Sequence, residues 1–480
     1  MKNKNGFISM SLVYSFLVLF LFLMMSIINC YLKKNTYLEA LDTQVSKDIS
    51  ITKDAKSSLL STILEDNISI PSYTLNLKNI SNNTVKNGNG LFYIDDKTKT
   101  DENNDGYGSK IYFFRGAVDN NYVVFAKEIK RNGSNQVSEE KSICWRILRT
   151  NEDGSIRLLY SGLQQSDGSC PTTGLNLDLR RLNNKYNSYA DTNNNVAFTK
   201  ISSTEEYKDN AYVGYTYGGR VSELSDPEAF MSSKNDYELY LYTNYHDGTG
   251  NVTSSNIKAV LDDYFLNHTN MYYSTELNYQ PAGSTDPNET INMVNDRIAN
   301  AIFCNDRNLM PLSSIQSPVG DYTLSITEPD ELVLERLNKG YSYYPTLLEG
   351  YNRLWNGEPT YVCKQSIDRY TLRTISGGTN QNYNALSYAI GLPTLDEVIY
   401  AGGAVNKNNT GYFMKGDTAY WTMTPLGIDK TPMIATVSSE GAITNTNAPT
   451  SKSIRPVISV NQEILVMSGN GLRKEPYILK

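Results

Sequence analysis

Histidine is nearly missing from this 480-residue chain: there are two, His246 and His268. Their contexts, NYHDGTG and LNHTN, read as exposed polar positions rather than as a base beside a nucleophile. The sequence holds no HExxH, no GxSxG, no phosphate-cradling GxxxxGK and no dinucleotide-binding GxGxxG, which sets aside the motif-borne hydrolases and nucleotide enzymes. Ser50-Ile-Thr-Lys53 has the SxxK form but lacks a partner motif. Cysteine is scarce as well: there are five, none spaced CxxC and none near a histidine in sequence, so no zinc pattern is present. Positive charge is also in deficit. Beyond residue 34 there are 40 basic against 51 acidic side chains, a net charge of −11. That balance argues against nucleic acid and anionic lipid as partners, since both need a basic face.

Long apolar runs are absent too, with one exception. Phe7–Leu32 carries no charged residue over 26 positions. About 20 apolar residues cross the hydrocarbon core as a helix, so this stretch predicts a transmembrane helix and a single pass. Lys2, Lys4 and the amino terminus precede it and Lys33 and Lys34 follow, close to a tie for the positive-inside rule. Four cysteines lie beyond the span, Cys144, Cys170, Cys304 and Cys363, the even number of an oxidised domain. The expected topology is therefore a cytoplasmic N-terminus with the bulk of the chain outside the cell.

The basic leader Met1–Asn5 ends at Gly6, and Phe7 opens the apolar run. This start resembles type IV prepilins and pseudopilins. The resemblance implies cleavage after Gly6, methylation of the new N-terminal Phe7, and pilus-like subunits as partners. One position departs from the pattern. Pilins carry Glu at the fifth mature position, where its carboxylate balances a neighbour's terminal amine, and here that position is Ser11. An uncleaved anchor and a secretory signal are the other readings of the same residues. Cys30 follows Asn29, not the small residue that precedes a lipoprotein cysteine.

After the leader (1–6) and the span (7–32), Leu38, Leu41, Val45, Ile49, Leu59, Leu60, Ile63 and Leu64 keep helical spacing and predict a stalk over 33–67. Residues 68–90 are polar and Asn-rich and end in Gly88-Asn-Gly90, a linker pattern. The extracytoplasmic domain is then 91–480. Strand-like runs fall at 110–114, 121–126, 142–149 and 155–162, with Asn151-Glu-Asp-Gly154 as the hairpin turn between the last two. Further strands fall at 419–425, 433–438 and 453–460. Ser255 caps a predicted helix over 256–267 with Ile257, Val260, Leu261, Tyr264 and Phe265 on one face. Ile291, Val294, Ile298 and Ile302 predict another helix over 288–302. Thr394 and Glu397 form a capping box whose helix ends at Gly402-Gly403. Strands at both ends with helices between indicate an α+β fold.

The runs YFFRGAVDNNYVVFA (112–126), CWRILRTNEDGSIRLLYSG (144–162), AYVGYTYG (211–218), IFCNDRN (302–308), GLPTLDEVIYAGG (391–403), AYWTMTP (419–425) and SIRPVISV (453–460) occur in this order. Together they resemble a family of uncharacterised surface proteins of low-GC Gram-positive bacteria with prepilin-like starts. The ending also resembles C-type-lectin-like and formylglycine-generating-enzyme-like domains. That likeness implies a mixed sheet in which the chain ends meet and long loops display a surface. Fold alone supplies no function.

Several residues invite a role. The four cysteines allow three pairings; the sequence-local one joins Cys144 to Cys170 and Cys304 to Cys363. Asp101, Asn103 and Asp105, followed by Gly106, match the first half of a calcium loop, but Tyr112 stands where a bidentate Glu should be. A solvated acidic loop is the competing reading. Trp145 and Trp421 read as core, and Arg455 as an internal orienting charge beside them; Arg115 and Arg146 read as arginines that pair or stack. The 36 tyrosines, with abundant Asn, Ser and Gly, suit binding loops, notably 163–210 and 219–250, though an AT-rich genome explains the same composition. The expectation is a membrane-anchored, pilin-like surface protein that displays a binding domain for an extracellular glycan or protein. The alternative is an ectodomain enzyme, a cysteine-dependent oxidase or a glycan-processing enzyme.

Overall fold

The computed structural model describes residues 57–75, 77, 88–94, 110–134, 136–182, 194–199, 213–218, 252–271, 277–279, 291–293, 297–311, 343–356, 358–363, 368–372, 385–429 and 431–480. The leader, the apolar run at 7–32, most of the stalk, the calcium-like residues Asp101, Asn103 and Asp105, residues 183–193 and 200–210 of the first loop, and all of the loop at 219–250 lie outside them. Among the described residues no helix is long and apolar enough to cross a membrane. The elements used below are numbered in chain order.

The compact unit begins at Ser58, earlier than the composition suggests. Ser58 caps α1 (Leu59–Asp66) by accepting from Ser61 N. Instead of ending a free stalk, α1 buries Leu59 and Ile63 in the domain core. Leu59 N donates to Ile464 O at 2.8 Å, and Tyr477 Oη donates to Asp66 at 2.6 Å. Part of the predicted linker is likewise structural, because β1 (Ser69–Pro71) pairs in parallel with β2 (Gly90–Ile94). The two ends of the domain therefore meet.

They meet in a nine-stranded sheet. Beyond β2 come β3 (Ile111–Arg115), β4 (Tyr122–Arg131), β5 (Val137–Thr150) and β6 (Ile156–Leu163). At 14 residues β5 is long enough to pair with β3 and β4 along one edge and β6 along the other. Asn151–Gly154 turns β5 into β6 as expected: Asn151 N donates to Ser155 O, and Gly154 takes φ +82°, a left-handed conformation open to glycine at little cost. Trp145 on β5 is fully buried, its indole N–H donating to Phe125 O at 2.8 Å. α2 (Asn256–His268) carries its predicted cap at Ser255 and buries all five residues of the predicted face. α3 (Glu349–Asn356) and α4 (Leu395–Ala401) follow; α4 has the capping box at Thr394 and Glu397 and the stop at Gly402. A second sheet is centred on β7 (Tyr420–Asp429), β8 (Thr431–Val437) and β9 (Ala442–Asn447). There Trp421 is fully buried and donates to Val196 O at 2.7 Å. β10 (Val457–Val460) returns to pair with β6, while β11 (Val466–Ser468) and β12 (Tyr477–Leu479) close the first sheet beside β4. The arrangement is sheet-rich α+β.

Two sequence expectations fail here. Residues 291–293 form a strand against 277–279, and the described residues 297–302 are not helical. Ile298 bridges Val460, and Ala299 N donates to Ser459 O at 2.9 Å, so the backbone joins the edge of β10 rather than an i to i+4 ladder. The apolar spacing was helical, but the Asn-rich stretch carries little helix propensity and a free strand edge offers its hydrogen bonds. The run at 453–460 is also shorter than its pattern: Pro456 has no N–H to give a ladder, and β10 begins after it. Its carbonyl instead accepts from Tyr160 N at 2.8 Å.

The buried phenols make a prediction. Burial pushes Tyr420 up to about 12, against the pull of Arg455, and likewise pushes Tyr351 up to about 12. In the unfolded chain these groups ionise near pH 10, so between about pH 10 and 12 the unfolded state releases its protons first. The associated stability is complete below about pH 10 and is lost as pH rises through 12. Each buried phenol so raised contributes on the order of 2–3 kcal/mol over that window. Denaturation midpoints and tyrosinate absorbance, followed together from about pH 8 to about pH 12, are expected to fall and rise in concert. Titration of every tyrosine near pH 10 without loss of stability would contradict this.

Candidate functional site

The β5–β6 hairpin places Arg149 directly opposite Arg157 in register. Like charges facing each other across a hairpin repel, more so when buried. Both are buried, Arg157 completely. Glu397, at the third position of α4, lies between them. Its Oε1 accepts from Arg149 Nε at 2.9 Å and lies 2.7 Å from Arg157 Nε, the latter an ion pair without hydrogen-bond alignment. Its Oε2 accepts from Thr394 N at 2.9 Å, completing the capping box. One carboxylate thus clamps two guanidiniums and caps a helix.

The acid is shared unequally. Burial disfavours the charge on Arg149, but Glu152 and Glu397 outweigh it and hold that guanidinium above its usual range. For Arg157 burial wins over Glu397 and draws it down to about 10. Arg157 also donates from Nη1 to Ile302 O at 2.9 Å and stacks over Phe303 at 4.5 Å. Its Nη2 is buried and has no hydrogen-bond partner.

Next to this pair stands a second ionic knot. Arg353, on α3, donates through Nε and Nη2 to the two oxygens of Asp396 at 2.8 and 3.0 Å, and through Nη1 to Asp306. Thr360 N adds a 2.9 Å bond to Asp396. Asp306 adopts φ +47°, a conformation uncommon for a residue with a side chain and characteristic of functional or tightly constrained turns. Behind it, fully buried Arg307 and Asp368 pair at 2.8 Å. The Cys304–Cys363 disulfide joins the segment carrying Asp306 and Arg307 to the segment carrying Thr360 and Tyr361. Arg149 lies over the Tyr361 ring at 4.4 Å.

Arg149, Glu152, Arg157, Asp306, Arg353 and Asp396 line a cleft with about 530 Å³ of atom-free space, its solvent-open mouth included, while Glu397 and the Arg307–Asp368 pair stand behind its wall. Arginine, acidic and threonine side chains make up most of its described lining. Four separated parts of the chain supply it, with Thr424 from β7: the NEDG hairpin, residues 302–306, α3 with the residues 360–363 that follow it, and the start of α4. The sequence had singled out most of these stretches as motifs without placing them together. The hairpin register was the one available signal, because a turn at Asn151–Gly154 sets Arg149 across from Arg157 and two facing arginines demand an acid.

The other candidates take these places. The disulfides are Cys144–Cys170 and Cys304–Cys363, the sequence-local pairing. Arg455 is wholly buried and donates to Tyr160 O at 3.0 Å and Met414 O at 2.7 Å, binding three chain segments as an internal orienting charge. Arg146 lies 3.8 Å over Tyr122, and Arg115 donates to the carbonyls of Ile399 and Tyr400 at the end of α4. His268 is a correction: it is buried, not exposed, with Nδ1 3.2 Å from Ile129 O, because the last turn of α2 packs on β4. His246, Ser50, Lys53, Gly6 and Phe7 lie outside the described residues. Among the described residues, no group of three or more His, Cys, Asp or Glu side chains is placed to hold a metal ion. Comparison of the chain with protein-family models, with curated proteins and with solved structures returns no match.

Proposed function

We propose that this chain is a single-pass, pilin-like surface protein whose disulfide-bonded domain is displayed outside the cell as a binding module for an extracellular glycan or protein. The observation that carries the reading is the state of the cleft. Its sulfur atoms are joined to each other, and Glu152, Glu397, Asp306 and Asp396 each face an arginine. Carboxylates so committed are poor general bases, and a disulfide is not a thiol nucleophile, whereas fixed guanidiniums and hydroxyls on a rigid wall suit recognition. Two disulfides also fit an oxidising compartment. The first and last strands of the domain sharing one sheet accords with the C-type-lectin-like likeness.

The test is made on intact cells. Protease shaving is expected to release peptides from the domain, and mass spectrometry of the native protein to find methylated Phe7 as its N-terminus. Methylated Phe7 makes a pilus-like assembly the working picture despite Ser11. An intact Met1 leader with shaved domain peptides reduces the protein to a plain anchored receptor. Domain peptides protected until the cells are lysed would remove the surface reading altogether.

A further inference from the structure

The hydrogen-bond sense of the cleft wall is one-sided. Thr360 Oγ1 accepts from Val362 N at 3.1 Å, Thr394 Oγ1 from Glu397 N at 3.2 Å, and Thr424 Oγ1 from Leu395 N at 3.0 Å. Each hydroxyl thus spends lone-pair capacity on the backbone, and among the described residues no protein acceptor takes its proton. Arg149 donates from Nε to Glu397 and from Nη1 to Thr150 O, which leaves its Nη2 hydrogens without an acceptor. Buried Arg157 Nη2 is unpaired in the same wall. A buried donor left unpaired is costly, and Arg157 Nη2 is one, with the unengaged Arg149 Nη2 and the three threonine hydroxyls around the same cleft. The carboxylates beside them are already engaged by arginine. What Arg157 Nη2 lacks is an acceptor.

We infer that the inner end of the cleft is a binding site for the carboxylate of an acidic sugar, received by Arg149 and Arg157 with the threonine hydroxyls on its flanks. This inference rests on the reading of the domain as a binding module and names the chemistry of its ligand. A planar, singly charged group with two oxygens can accept from two guanidinium ends at once. A sugar ring would then lie toward the solvent-open side of the cleft, where its own oxygens can meet hydroxyl donors. Among the described residues Ile302 and Val362 are the only aliphatic side chains in the lining, so the terminal side chain of a peptide finds no apolar socket among them.

The experiment uses the full chain in detergent micelles, titrated with glucuronate, with glucose, with N-acetylalanine and with inorganic phosphate. Glucuronate is expected to bind saturably, with a dissociation constant of about 1 mM or tighter. It should also shield Arg149 from phenylglyoxal in the wild-type protein, as read by mass spectrometry, a measurement that needs no variant. Glucose should do neither. R157K, which keeps the charge facing Glu397 and loses Nη2, is expected to weaken glucuronate binding at least about tenfold while α4 and its fold persist. Unchanged affinity in a folded R157K, or glucuronate binding without protection of Arg149, would overturn the site. Phosphate binding in place of glucuronate would overturn the carboxylate, and N-acetylalanine binding as tightly would overturn the sugar source. Silence from all four ligands would overturn the inference. Retention of the same protein on a neutral glycan or a protein surface would then leave the broader binding reading standing.

Discussion

Glu397→Gln is expected to lower the stability of the domain by about 3–5 kcal/mol, the cost typical of stripping one partner from a buried ionic cluster. Glutamine is close to glutamate in size and can still reach Thr394 N, so α4 keeps much of its cap and the loss reports on charge. What remains is Arg149 facing Arg157 across the β5–β6 hairpin with no acid between them, in an interior where Coulomb repulsion is weakly screened. Glu152, at 3.7 Å from Arg149, relieves that arginine alone. The same logic makes the damage reversible. Glu397→Gln combined with Arg157→Met removes the uncompensated charge along with the acid, and should regain at least about 1 kcal/mol over the single variant. Urea denaturation of the four proteins in the cycle measures both effects. A single variant within about 1 kcal/mol of wild type would mean that solvent reaches the pair, and the description of the clamp would have to be abandoned.

The second large effect concerns the Cys304–Cys363 bond, which spans 59 positions. By the loop-entropy relation, its removal should cost about 4 kcal/mol, against roughly 3.5 kcal/mol for the 26-position Cys144–Cys170 bond. The two also differ in access. Cys144 and Cys170 are fully buried under Tyr122 and Val124, whereas Cys304 is partly exposed in the cleft wall. Mild reductant followed by alkylation is therefore expected to label Cys304 and Cys363 first, and Cys144 and Cys170 only near the unfolding transition. Because the labile bond holds Thr360 and Tyr361 against Asp306, opening it should also weaken whatever binds in the cleft. Equal labelling of all four cysteines under native conditions would show that the cleft bond has no privileged exposure.

Much of this molecule is legible before any coordinates. Caps depend on a few adjacent residues, and Ser255, Thr394 with Glu397, and Gly402 all act where the sequence placed them. The strand-like runs around Trp145 and Trp421 are strands whose indoles are core, and a turn such as Asn151–Gly154 dictates its hairpin. Disulfide pairing was open among three choices and fell to the local one. Helical spacing misled at 288–302, where an available strand edge outweighed periodicity, and the polar context LNHTN misled at His268, whose burial comes from α2 docking on β4. The domain start was misplaced for the same reason: α1 and β1 look like stalk and linker until their partners, Ile464 and β2, are in place.

The sequence by itself determined the local elements: which residues cap, turn, alternate and oxidise, and that nothing in the chain spells out a known catalytic motif. The cleft is a different matter. Arg353 meets Asp396 across 43 positions and Arg149 meets Glu397 across 248, pairings that no propensity or spacing encodes. Short-range order follows from backbone sterics and neighbouring side chains, whereas a charged cleft exists only where packing brings distant segments together and removes the water that would otherwise answer their charges.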